Sequence, residues 1–298
     1  MTLKKRVASV IIPTYNEEED IARCLSCLKK QTFKDFEVII VDDGSSDKTV
    51  ELVKNAAKTF NRLYLIQGEH KGPGFSRNLG AKRAKGKILI FIDADMFLDK
   101  NYLKALITPI LNKAGIGTED GYQLASNKEG IWSKCWGQYT KSPEERKKDY
   151  RGKEYNTGYI FRAILKSEFN RMGGFDPSLG YADDLTFYLH FNATSLRVRD
   201  AWCYHKNPET LKQVYKQSKW IGASLSNWFT RTPAVRHLFP ISLIVLSPVA
   251  IPVLSIKKCY THKTFNLLFP WMFIFIASRY FGTIQGLIQK AYLGKNFR

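Results

Sequence analysis

Asp93 and Asp95 flank a single alanine directly after KILIFI, a run with the composition of a buried strand. Two carboxylates delivered to a strand end this way can hold a hard divalent cation through oxygen and leave its other positions open to phosphate oxygens. Magnesium or manganese suits that all-oxygen chemistry. The same pair can also cap a following helix, so the tripeptide alone decides nothing. Its neighbours add weight. TYNEEED and DDGSSD follow two other strand-like runs, VASVIIP and FEVIIVD, and KGPGFSRNLGAKRAKG brings flexible backbone and four cations beyond Lys71, suited to a polyanion. That loop is not the dinucleotide fingerprint, because its third glycine position is Arg77.

These residues need a scaffold, and residues 7–100 supply one. Short β-branched runs alternate with helical stretches in the order βαβαβαβ, with runs nearly continuous in Val and Ile, as parallel strands covered on both faces require. Ligands of such sheets sit beyond the carboxyl ends of the strands, which places all three acidic clusters on one rim. Residues 101–155 show weak periodicity and many charges, including SPEERKKDYRGKE, and read as solvated loop and short helix, either a lid or a surface insertion. Residues 156–205 carry another apolar run, YIFRAIL, a Gly-Gly turn before Phe175-Asp176, and a helix starting near Asp183, and form the second half of one mixed domain.

The formal charge of +19 calls for nucleic acid, anionic lipid or a phosphate-bearing substrate. No aromatic-basic recognition motif accompanies it, so nucleic acid is not expected as a partner. Five irregularly spaced cysteines argue for a reducing, cytosolic compartment, and Cys24 and Cys27 fall at helical spacing with Ile21, Leu25 and Leu28, a core pattern. The basic start MTLKKR and the short run after it do not make a cleaved targeting segment. Glu209 to Phe229 sets Leu211, Val214, Tyr215, Ser218, Ile221, Leu225 and Trp228 on one face, with Lys212, Lys216 and Lys219 off it. Such a basic amphipathic helix is predicted to lie on an anionic membrane surface or to pack on the domain. Beyond it, Leu238–Ile256 carries no charge and Phe265–Ile288 only Arg279. Each is long enough to cross a bilayer. Pro240, Pro248, Pro252, Arg279 and the basic connector KKCYTHK suit a kinked or re-entrant hairpin as well as two spans.

SVIIPTYNEEEDIARCL, QTFKDFEVIIVDDGSSDKT and GPGFSRNLGAKRAKGKILIFIDADM, in that order, resemble the nucleotide-binding half of family 2 glycosyltransferases. The resemblance implies a GT-A fold, an α/β architecture with a mixed, mainly parallel sheet flanked by helices, here followed by the C-terminal amphipathic helix and membrane hairpin. It also implies a nucleotide-diphosphate sugar donor, a divalent metal and inversion at the anomeric carbon. By position, Pro13, Thr14, Tyr15 and Glu17 line the base and ribose pocket, Asp43 contacts the base, Arg77 lines the nucleotide side, Asp93 faces the ribose or the metal, and Asp95 is the main metal ligand. GGFDPSLGYADDLTFYL resembles the second half of the family, with Asp183-Asp184 where a Glu-Asp pair is usual; Asp184 matches the catalytic base, and the shorter Asp183 leaves open which carboxylate acts. His205 stands where relatives place a histidine near the metal and diphosphate.

The expected organisation is a nucleotide-sugar-binding half at 1–100, an acceptor and catalytic half at 101–207, an interfacial helix at 208–235 and a membrane-associated hairpin at 236–298. The expected function is transfer of a single sugar, from a UDP-sugar by preference, to a hydroxyl of a lipid-linked glycan or glycolipid, by a catalytic domain on the cytoplasmic face of the cell membrane. A polyprenyl-phosphate acceptor is the alternative, but DADMFLDK lacks the D-L-Q-H continuation usual there. Gln217-Ser218-Lys219-Trp220 is one residue short of the processive synthases' Q-x-x-R-W. VIIVDDGSS and ILIFIDADM also resemble a signalling receiver domain, a reading that leaves TYNEEED and the tail unexplained. Intact Asp43, Asp95 and Asp184 argue against an inactive membrane binding protein.

Overall fold

The computed structural model describes residues 7–140, 157–229, 233–261 and 265–293. The charged run SPEERKKDYRGKE lies outside them.

The strand-like runs become strands. β1 (Ala8–Thr14) and β2 (Phe36–Asp42) are buried along their whole length, as central strands covered on both faces must be. β3 (Leu63–Gln67) and β4 (Ile88–Phe91) flank them, giving the parallel order β3-β2-β1-β4. The crossovers are α1 (Ile21–Lys29), α2 (Thr49–Ala57) and α3 (Pro73–Arg83). In α1, Ile21, Cys24, Leu25 and Leu28 form the buried face, so Cys24 serves as packing.

Past β4 the sheet turns antiparallel through β8 (Ala163–Leu165), β6 (Gly117–Ala125), β9 (Ser195–His205) and β5 (Met96–Leu98), with a short β7 (Thr157–Gly158) on β9. Residues 101–140 are more ordered and more buried than the solvated loop and short helix expected of them. α4 (Tyr102–Leu111) buries Tyr102, Leu103, Leu106, Ile107 and Ile110, and β6 joins the sheet. Exposed Lys104 and the internal Pro109 obscured an i, i+3/i+4 apolar stripe. On the sheet's other face, Phe91, Phe161, Phe169, Phe175 and Phe187 pack with α6 (Lys166–Arg171) and α7 (Thr186–Phe191). The helix expected near Asp183 begins three residues later; Asp183 and Asp184 sit in the preceding 3-10 segment, Pro177–Leu185.

The chain divides into two compact units. One takes Met1–Leu124, Arg146–Pro177 and Asp183–His205; the other takes Ala125–Glu145, Ser178–Ala182 and Lys206–Arg298. In the second unit, α5 (Ile131–Tyr139) joins α8 (Leu211–Phe229), α9 (Pro233–Thr261) and α10 (Phe265–Leu293). The described part of the apolar face of α8 packs on α10, and the Leu225 and Trp228 side chains lie outside what is described. Val214, Ser218, Gly222 and Ala223 are buried there, and a Cβ at Gly222 or Gly286 would collide with the facing helix's backbone at Thr283 or Lys219. Small residues let the two backbones approach. By length and composition, one described helix, Phe239–Thr261, can cross a bilayer. Three prolines and exposed Val245, Val249 and Val253 mark it.

Candidate active site

The acidic clusters meet at the carboxyl edge of the parallel strands, and one arginine organises them. Arg77 projects from α3, is buried, and donates from Nη2 to Asp93 Oδ1 at 2.7 Å and from Nη1 to both oxygens of Asp183 at 2.7 and 2.9 Å. Gly74, one turn earlier on α3, permits this: a Cβ there would lie 2.8 Å from Asp183 Oδ2. Burial alone would lower the pKa of Arg77, but Asp183 and Asp93 hold it above the ordinary value.

Asp93 is claimed from its other side by Arg162, whose Nη1 donates to Oδ2 at 3.0 Å. Its carboxyl is held well below the usual range: burial would raise it, and Arg162 and Arg77 overcome that. Arg162 also pairs with buried Asp120 at 3.7 Å, and Tyr102 Oη and Cys203 Sγ each donate to Asp120 Oδ2 at 3.1 Å. Neither Arg162 nor Asp120 was identified from sequence. The signal was a cation inside the apolar run YIFRAIL, where only a paired charge is tolerated.

Asp183 is therefore engaged, and Asp184 is left differently. Asp184 is half-buried and makes no hydrogen bond among the described residues; burial and the neighbouring Asp183 charge push its carboxyl up to about 6. Two adjacent carboxylates with separated environments are how one becomes a structural anion and the other a group that can exchange a proton near neutral pH.

On the far side of the tripeptide, His205 at the end of β9 places Nε2 3.1 Å from Asp95 Oδ2. Burial would lower the imidazole, but Asp95 retains its proton and raises it to about 9. Among the described residues no three His, Cys, Asp or Glu side chains gather into a metal cage. The donor set still fits a hard cation that takes one or two protein ligands and completes its shell with phosphate oxygens. Asp95 could supply that ligand, and His205 could join it only on giving up the proton it shares with Asp95; Asp93 has each oxygen committed to an arginine.

At the ends of β1 and β2, Asp43 accepts from the Lys71 and Gly72 amides at 2.9 Å and from Ser76 Oγ at 3.2 Å, which fixes the glycine loop. His70 lies 3.2 Å from the same carboxylate and packs its ring 4.2 Å from Tyr15. His70 was also missed by sequence reading; its place in GEHKGPG, past a strand end, was the available clue. Pro13 and Thr14 close β1, both buried, and Thr14 Oγ1 has no hydrogen-bond partner among the described residues. Glu17 opens the turn into α1, where its amide donates to Thr49 Oγ1 at 2.7 Å. A half-open edge with Tyr15 and His70 rings, fixed Asp43 and an unmatched hydroxyl can take a planar base and its polar groups.

A parallel β3-β2-β1-β4 half, an antiparallel extension and an acidic carboxyl edge define a GT-A fold. The chain belongs to glycosyl transferase family 2, whose family model matches residues 9–169. A GalNAc(5)-diNAcBac-PP-undecaprenol beta-1,3-glucosyltransferase of Campylobacter jejuni is 32% identical over 164 residues, 53% of this chain and 52% of that protein. Other curated relatives are far longer than the stretch they share, which spans between 17% and 29% of them. Among solved structures, a mannosyltransferase from Pyrobaculum calidifontis in complex with GDP-Man and Mn2+ has TM-score 0.60 at 16% identity, covering 98% of this chain and 89% of that one. Staphylococcus aureus TarS in complex with UDP-GlcNAc has TM-score 0.53 at 19% identity, covering 98% and 93%. These structural likenesses show the fold.

Proposed function

We propose that the protein is an inverting glycosyltransferase that moves a single sugar from a nucleotide-diphosphate sugar, with UDP-sugars favoured, to a hydroxyl of a lipid-linked glycan or glycolipid at the membrane. The observation that carries this is the division of labour around Arg77: Asp93 and Asp183 are neutralised, while Asp184 has no hydrogen-bond partner among the described residues and a pKa of about 6. A base of that pKa is half ionised close to working pH and loses little driving force when it takes a proton.

Tyr15, His70, Asp43 and Thr14 hold the base and ribose side of the donor. Asp95, joined by His205 once that imidazole has lost its proton, would hold Mg2+ or Mn2+, which when bound would neutralise charge on the departing diphosphate. Asp184 accepts the acceptor hydroxyl's proton as that oxygen forms its bond to the anomeric carbon and the carbon–phosphate oxygen bond breaks, giving one displacement and inverted configuration. Arg77 and Arg162 keep Asp93 ionised and fixed, so the edge is organised before the donor arrives.

Membrane placement is supported by the apolar helix Phe239–Thr261, of which only 22% is buried, unlike the core helix of a soluble protein. The name of the Campylobacter jejuni relative, which includes a PP-undecaprenol, supports a lipid-linked acceptor. The test is incubation of the intact chain in membranes with a panel of labelled UDP-sugars and a bacterial lipid extract. Label should enter the lipid phase with anomeric configuration opposite to the donor's. Label released only as free sugar, or transferred with retention, contradicts the proposal.

A further inference from the structure

Arg279, the one cation in the second apolar segment, takes no part in the site above. It is half-buried on α10, with its guanidinium carbon 4.4 Å from the Tyr139 ring centroid, 4.5 Å from that of Trp136 and 6.0 Å from that of Phe275. The rings stabilise the charge, and the Tyr139 phenol also engages the guanidinium through a side-chain hydrogen bond. Its Nε and Nη1 are buried without a hydrogen-bond partner among the described residues. The titratable groups acting on its charge are the phenols of Tyr139 and Tyr181, with no carboxylate among them. Unmatched buried N–H donors are costly and call for an acceptor. A planar fork of donors beside phenol hydroxyls matches a phosphate group better than a point-like anion.

The position along the membrane helix narrows the ligand. Tyr280, next to Arg279, donates from Oη to the Leu243 carbonyl at 3.0 Å and ties this level of α10 to α9. Leu243 lies four residues inside the apolar stretch Phe239–Thr261, so Arg279 stands about one helical turn, roughly 6 Å, from the end of the stretch. One turn inside the apolar stretch is close to the headgroup layer, where membrane lipids carry their phosphates. Tyr181, which shares the Arg279 environment, stands two residues before Asp183 in the chain and is fixed by its amide on Ser224 Oγ at 2.8 Å and by packing against Trp220 at 4.9 Å.

We infer that Arg279, with Tyr139 and Tyr181, is a binding site for the phosphate of a lipid-linked acceptor. The inference rests on the transferase reading given above. The full chain in detergent micelles is titrated with farnesyl phosphate, farnesol and inorganic phosphate, read by native mass spectrometry and by fluorescence of Trp136 and its neighbours. Farnesyl phosphate should bind at least tenfold more tightly than either other probe. Arg279→Gln should reduce it to the farnesol level, and Arg279→Lys should fall between. Equal binding of farnesol and farnesyl phosphate, or an unchanged preference in Arg279→Gln, overturns the site. Competition by phosphatidylglycerol as strong as by farnesyl phosphate overturns the assignment to an acceptor, because bulk headgroups would then fill it. Stabilisation of the same variant by UDP shows that the donor unit is folded. If UDP fails to stabilise even the wild-type chain, the transferase reading fails while the lipid-phosphate titration still stands on its own.

Discussion

Replacing Asp184 by asparagine should make the protein more stable while abolishing transfer. In the folded chain the Asp184 carboxyl titrates at about 6 against an ordinary 3.8, because burial and the Asp183 charge disfavour its ionised form. A carboxyl raised in this way contributes its full stability below the unfolded value, and that contribution is lost as pH rises through about 6. At pH 8 the wild-type chain therefore carries the whole penalty. A shift of about two units corresponds to a ceiling of about 3 kcal/mol, and solvent at the half-buried group brings this to about 1–2 kcal/mol. The amide of Asp184→Asn removes the charge and keeps the shape. The melting temperature at pH 8 should rise by about 3–6 °C for a unit of this size, with little change at pH 4, where the wild-type carboxyl is already protonated. Thermal unfolding of both chains in the same detergent at the two pH values provides the measurement. The wild-type rate should also decline below pH 6 about tenfold per unit, and the variant should show no such limb. A variant as stable as wild type at pH 8, or one that still turns over, refutes the assignment of Asp184 as a destabilised base.

Two further substitutions probe the supports. Arg77→Met leaves Asp93 and Asp183 buried without their shared cation and should cost about 3–5 kcal/mol, read as loss of the folded transition; Arg77→Lys should recover only part, since one ammonium cannot reproduce a fork that serves two carboxylates. Survival of Arg77→Met at wild-type stability would show that the carboxylates do not depend on it. Gly286→Leu forces α10 away from the Lys219 backbone and should destabilise the second unit by more than about 2 kcal/mol; a melting profile identical to wild type would disprove the close helix contact.

The parallel half was legible because VASVIIP, FEVIIVD and KILIFID each signal a buried strand followed at once by polar residues. Parallel strands end on one edge whatever their order, so Asp43 and Asp93 reach that edge without any knowledge of side-chain contacts. What that pattern cannot specify is which charges pair. Asp93 and Asp95 look alike in sequence, yet two arginines from α3 and the approach to β8 occupy Asp93 and leave Asp95 to His205. Those partners lie far along the chain, beyond the reach of local periodicity. The α8 face left two readings open for a different reason. An apolar stripe with lysines beside it is the same pattern for a lipid surface and for a helix partner, and the distinguishing feature was Gly282 and Gly286 on α10, spaced one turn apart for close packing.

The central claim, a nucleotide-diphosphate site completed by a divalent cation at Asp95, is tested most directly by thermal stabilisation of the intact chain with UDP, GDP and dTDP, each with and without Mn2+. One nucleotide at a hundred times its dissociation constant should add about 2.7 kcal/mol, more strongly with the metal than without it, and Asp95→Ala should remove the metal's share. A chain that responds to none of the three nucleotides under either condition contradicts the account.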